Sequence, residues 1–88
     1  MKKNLVISGK VQGVGFRYWM QNLANKNNIN GWVKNKMSGD VEALIIGEEK
    51  DVQKLIKLCE IGPSSATIKN IQVNDYEHDY SKQGFNIF

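Results

Sequence analysis

The sequence predicts an α+β domain, one mostly antiparallel sheet with two helices packed on one of its faces. Three observations lead there. Two stretches repeat apolar residues at helical spacing, each giving a single stripe. Short segments rich in alternating or β-branched apolar residues lie around and between them. The order of these pieces is β-α-β-β-α-β plus a short C-terminal strand, which is the split βαβ, ferredoxin-like sandwich.

Asn4 to Ser8 reads as the first strand, with Leu5 and Ile7 on one face and Val6 on the other. A glycine-studded turn follows, Gly9-Lys10-Val11-Gln12-Gly13-Val14-Gly15-Phe16-Arg17. Phe16, Trp19, Met20, Leu23 and Ala24 then form one helical stripe, which frays in the asparagine-rich run from Asn25 to Asn28. Ile29 to Met37 reads as a strand with Asn35 in its interior, alternating with Val33 and Met37. Ser38-Gly39 signals a tight turn, and Asp40 to Gly47 returns as a β-branched strand. Val52, Leu55, Ile56 and Cys59 make the second helical stripe. The acids Glu48, Glu49 and Asp51 suit its first turn, and Gly62-Pro63 ends it. Ile68 to Glu77 is a further strand, and Gly84 to Phe88 a short last one. With one stripe per helix, both helices belong on the same face of the sheet, and right-handed crossovers set the two halves side by side.

Eighty-eight residues make one domain spanning 1–88, and no linker, repeat or low-complexity tract divides it. A content of 41% hydrophobic and 24% charged residues is that of a globular chain, not of a disordered one. The single cysteine cannot form an internal disulfide, as suits a reducing compartment. The start lacks the apolar core of a signal peptide, and no stretch approaches the length of a membrane span. The expectation is a cytoplasmic protein with no membrane partner, and a monomer on grounds of size.

Charge is divided unevenly. Residues 1–39 hold seven cations and no acid, whereas residues 40–88 hold nine acids and five lysines, so halves of +7 and −4 sum to the net +3. A cationic N-terminal half raises the local potential for anions. Arg17 is the only arginine against eleven lysines. Lysine abundance is open to a compositional explanation; a lone arginine is better explained by geometry, because a planar guanidinium presents five fixed donors to a tetrahedral oxyanion. The glycines before it allow close approach of backbone amides, and the helix that follows offers unpaired N–H groups and a positive dipole end. Together they read as an oxyanion cradle. Glycines at 9, 13 and 15 fit neither the dinucleotide fingerprint nor the P-loop.

Asn35 is open to two readings. Asparagine is poor in strands and often sits near a turn, and Ser38-Gly39 is close. Its amide can also donate and accept at once, so it can hold a water and a substrate oxygen together. Other conspicuous residues read as structural. His78 is a lone histidine in a polar stretch without a ligand cluster. Cys59, Trp19 and Met20 lie on core stripes, and Trp32 is a packing aromatic. An alternative function is a non-catalytic RNA-binding module, since RNA-recognition domains share this element order. Against it, Asn4–Ser8 and Asp40–Gly47 carry no aromatic for base stacking, and the RNP1 pattern is absent. No nucleic-acid partner is therefore expected.

Residues 9–17 match Gly-x-Val-Gln-Gly-Val-x-Phe/Tyr-Arg at every fixed position. Residues 31–47 match Gly-aromatic-Val-Lys-Asn, three residues, Gly, one residue, Val, five residues, Gly. With both signatures the chain closely resembles the acylphosphatase family over essentially its whole length. One departure is the end, Phe85-Asn86-Ile87-Phe88, where many relatives finish with a basic-aromatic pair. The resemblance implies hydrolysis of the carboxyl–phosphate anhydride of a small acyl phosphate, giving carboxylate and inorganic phosphate with no metal or cofactor. It further implies that Arg17 clamps the phosphoryl oxygens while the backbone of Gln12, Gly13, Val14, Gly15, Phe16 and Arg17 lines the cradle. Asn35, on the same resemblance, orients the attacking water. Physical chemistry agrees: a carboxylate leaves readily, and phosphoryl transfer rests on positioning and charge stabilisation.

Overall fold

A computed structural model describes all of residues 1–88. The elements are β1 (Lys2–Lys10), α1 (Phe16–Lys26), β2 (Asn30–Asn35), β3 (Val41–Ile46), α2 (Glu49–Ile61), β4 (Thr67–Asp75) and β5 (Phe85–Ile87). They form a five-stranded sheet in the order β4-β1-β3-β2-β5. All pairings are antiparallel except β2 with β5, which is parallel. This is the expected α+β arrangement, with β1 and β3 at the centre.

The stripes bury as their spacing requires. From α1, Phe16, Met20 and Ala24 are buried, and from α2, Val52, Leu55 and Cys59. They meet Leu5, Ile7, Val33, Val41, Ala43 and Ile45, which share the opposing sheet face through the two-residue alternation of a strand. A buried Met or Leu of this kind contributes about 2–5 kcal/mol relative to alanine. Leu44 points the other way; it is fully buried yet outside that cluster.

Helix ends follow their residues. Asn27 turns its side-chain Nδ2 back to the carbonyl of Leu23 at 2.8 Å, and Asn28 takes a left-handed φ of 57°, so the asparagine run stops α1. At the end of α2 the Gly62 amide donates to Leu58 at 2.9 Å. Several strand ends shift by one or two residues from expectation, and one of these shifts bears on the site. Asn35 does not lie inside a strand reaching Met37; it is the last residue of β2. The Lys36 amide donates to Asp40 at 2.8 Å and the Gly39 amide to Lys36 at 3.1 Å, so the turn closes two residues early. Met37 is consequently a fully exposed turn residue and not a strand residue.

Strand direction decides where a site can form. β1 and β2 both run antiparallel to β3, and β5 runs parallel to β2, so these three strands point the same way. Their C-terminal ends therefore gather at one end of the sheet, near the row Ile7–Val41–Asn35. The opposite end is the row Lys2–Ile46–Asn30. There residues 76–84 run from one edge strand to the other, held by Tyr76 N–H to Lys2 at 3.3 Å and by Gly84 N–H to the Asn30 side chain at 3.0 Å.

Candidate active site

At the C-terminal ends of β1, β2 and β5 lies a cavity of about 180 Å³ lined by Val11, Gly13, Gly15, Phe16, Arg17, Tyr18, Asn35 and Ile87. β1 delivers the loop Val11–Gly15 and the first turn of α1, β2 delivers Asn35, and β5 delivers Ile87. Arg17 and Asn35, eighteen positions apart in the sequence, face one space.

The loop owes its shape to two glycines. Gly13 and Gly15 adopt left-handed φ values of 73° and 77°, which side-chain-bearing residues rarely accept. Above both there is open space, so backbone conformation and not crowding demands glycine here. Gly9, before the loop, answers a different demand. A Cβ at Gly9 would come within 2.1 Å of the Thr67 carbonyl, where the β1–β4 register shifts.

The amides of this segment are unusually unengaged. None of the N–H groups from Gln12 to Tyr18 donates to a carbonyl or side chain of the protein. Those of Phe16, Arg17 and Tyr18 are helix-start donors with no intrahelical partner. Gly15 occupies the N-cap position and supplies no side-chain acceptor, and the first turn carries no acid. Left-handed glycines, unpaired amides and the positive end of a helix are the elements from which anion-binding concavities are built.

Arg17 is half-buried and pairs with no acidic side chain; the side-chain ion pairs are Lys3–Asp75 and Lys34–Glu42. Its Nη1 donates to the main-chain oxygen of Phe88 at 3.0 Å, which orients the guanidinium and leaves its remaining N–H groups for a ligand. Phe88 is itself held by its amide on Val33 at 2.9 Å and by its ring against Trp32, with centroids 6.2 Å apart. The Asn35 side chain is exposed and makes no hydrogen bond within the protein. It shares strand parity with buried Val33 and so projects on the helix side, at the sheet end where the cradle stands.

Of the cradle residues expected from sequence, Gly13, Gly15, Phe16 and Arg17 line the cavity, whereas Gln12 and Val14 direct their side chains elsewhere. Val14 packs on the core. Gln12 reaches the β2–β3 turn. Sequence reasoning missed Val11, Tyr18 and Ile87 as lining residues. Tyr18 could have been found as the neighbour of Arg17 in the first helical turn; Ile87 could not, because its place depends on the β2–β5 pairing. The residues read as structural behave so. Cys59 is fully buried, and desolvation pushes its thiol up to about 12, so it stays protonated and unreactive. His78 is exposed, with its ring edge-on to Tyr76. No helix is long and apolar enough to cross a membrane.

A split βαβ sandwich in which unpaired loop amides, a guanidinium and a side-chain amide face one cavity has the donor set of a phosphate-handling domain. The acylphosphatase family model matches residues 3–87, and the chain belongs to that family. An acylphosphatase of Acidiphilium cryptum is 40% identical over 94% of this chain and 90% of its own. The crystal structure of the acylphosphatase from Bacillus subtilis superimposes with a TM-score of 0.93 at 33% identity, covering 99% of this chain and 97% of that one. Full-length HypF in its phosphate- and nucleotide-bound form contains a similar unit, at a TM-score of 0.90 and 38% identity, covering 99% of this chain but 11% of HypF.

Proposed function

We propose that this acylphosphatase hydrolyses small acyl phosphates by holding the phosphoryl group in the 12–17 cradle and directing water onto it from Asn35. In the bound substrate, two phosphoryl oxygens meet the Arg17 guanidinium and the amides around Gly13 and Gly15. The Asn35 side chain accepts a hydrogen bond from water through Oδ1 and donates one to a phosphoryl oxygen through Nδ2. The water oxygen forms the new bond to phosphorus as the bond to the acyl oxygen breaks, and its electron pair leaves with the carboxylate. One water proton passes to a phosphoryl oxygen of the substrate, since the lining residues include no carboxylate, imidazole or amine.

The observation that carries this reading is the convergence of unengaged amides, an arginine bonded only to the Phe88 main-chain oxygen and an unpaired asparagine amide on one cavity. Charge developing on the phosphoryl oxygens is met by donors already in place, which is how phosphoryl transfer is accelerated. The side chains contain no group of three His, Cys, Asp or Glu placed to hold a metal ion, and the reading assigns no step to one. The scale of the cavity suits a small-molecule substrate, and the reading extends to a cytoplasmic monomer without nucleic-acid partners.

The direct test is release of inorganic phosphate from acetyl phosphate, with and without a chelator. Turnover that persists in chelator is expected; turnover abolished by chelator and restored by a divalent cation overturns the metal-independent scheme.

A further inference from the structure

The side chain of Gln12 does not point at the cavity but crosses to the hairpin that carries Asn35. Its Nε2 donates to the Lys36 carbonyl at 2.7 Å and to the Asp40 carbonyl at 2.9 Å. Two carbonyl acceptors fix which end of the amide is NH₂, because an oxygen there would face two oxygens. Lys36 follows Asn35 directly, and Asp40 precedes Val41, the residue paired with Asn35 across the hairpin. Both carbonyls also accept from within the turn, Asp40 from Lys36 N–H and Lys36 from Gly39 N–H. One amide nitrogen thus ties both arms of the turn to the cradle loop at the point where β2 ends.

We infer that Gln12 is a positioning residue, which sets the distance between the phosphate cradle and the water-orienting amide of Asn35. This rests on the reading of the site given above. The loop and the hairpin are joined by no strand pairing of their own, since β1 and β2 are separated by β3. Among the side-chain hydrogen bonds, those of Gln12 alone link residues 11–15 to residues 35–40. Without them the hairpin end is held only by its own turn and its strand pairings, none of which reaches the cradle loop, and Asn35 drifts relative to phosphorus. A misplacement of about 1 Å costs on the order of a hundredfold in rate. Phosphate binding should change little, because the cradle amides belong to the loop and to α1.

The test is a double-mutant cycle on acetyl phosphate turnover, using Gln12→Met, Asn35→Ala and the pair, with inorganic phosphate affinity and thermal unfolding measured on each. Met keeps the length of Gln and removes the donor. Gln12→Met is expected to lower kcat by about tenfold to a hundredfold while phosphate affinity stays within about threefold. In the Asn35→Ala background the same change should lower kcat by less than about threefold, because nothing is left to position. Gln12→Lys, whose ammonium can donate to both carbonyls, should recover most of what Gln12→Met loses. Equal losses in both backgrounds, or no loss in Gln12→Met, overturn the inference. Should Gln12→Met fail to fold, Gln12→Asn, one methylene too short to span both carbonyls, replaces it in the cycle with the same two outcomes. A wild type inactive on acetyl phosphate would sink the proposed function instead, and a separable failure of Gln12 alone leaves that function standing.

Discussion

The two helices of this domain begin in opposite ways. At the start of α2, Glu48 is the N-cap residue, Glu49 and Asp51 sit in the first turn, and the amides of Asp51 and Val52 both turn to the Glu48 carbonyl at 3.0 Å. At the start of α1, a left-handed glycine is the N-cap residue, the first turn is free of acids, and it carries Arg17. The positive end of α2 is answered by its own sequence; that of α1 is left for something else. Helix starts of one length class in one molecule therefore divide into a stabilising end and one that, on the proposed function, is a receiving end. The difference lies in four or five residues.

Changes that break the receiving end should have the largest consequences. Arg17→Ala is expected to lower kcat/KM for acetyl phosphate by about 10³-fold or more. Arg17→Lys should recover only part of it, since an ammonium keeps the charge but not the planar fork; steady-state kinetics on both variants checks this, and near-normal turnover in Arg17→Ala would refute the assignment. Asn35→Ala comes next, with kcat falling about 10²–10³-fold while inorganic phosphate affinity shifts little, as kinetics and product inhibition would report.

Making α1 begin like α2 sharpens the comparison. Tyr18 is the third residue of α1, as Asp51 is of α2, and it is well exposed. Tyr18→Asp should raise stability by about 0.3–1 kcal/mol, read as an upward shift in Tm. It should also weaken inorganic phosphate by roughly fivefold, the equivalent of about 1 kcal/mol, by placing a like charge at the cradle. Tyr18→Asn, which lacks the charge, separates loss of the ring from the charge effect. The converse change is the mildest: Glu49→Gln should cost about 0.3–1 kcal/mol in chemical denaturation and leave turnover as it was.

Helical stripes and the acid pattern at α2 were legible because their spacing is local and repeats every few residues. So was the cradle, whose glycines and arginine are adjacent in the chain. The signatures at residues 9–17 and 31–47 marked Asn35, yet periodicity placed it inside a strand when it ends one. What cut the strand short is a pair of turn hydrogen bonds between residues three and four apart, which leave no trace in hydropathy alternation. Gln12 was read as a cradle residue through its backbone, and nothing in its neighbours announced that its amide spans to Lys36 and Asp40. The same holds for Arg17 and Phe88, joined across 71 positions. Long-range pairing is a property of topology, and the parallel seating of β5 beside β2 brings that oxygen to the guanidinium.

Gly13 and Gly15 carry a consequence beyond the cavity they shape. Each glycine widens the range of conformations open to the denatured chain, at about 0.5–1 kcal/mol relative to alanine. Because both hold positive φ, alanine could not recover that amount without straining the native backbone. The expense of this loop conformation is thus borne in the disordered ensemble, where no inventory of native contacts would reveal it. On the function proposed above, a phosphate bound there would offset that expense and raise Tm.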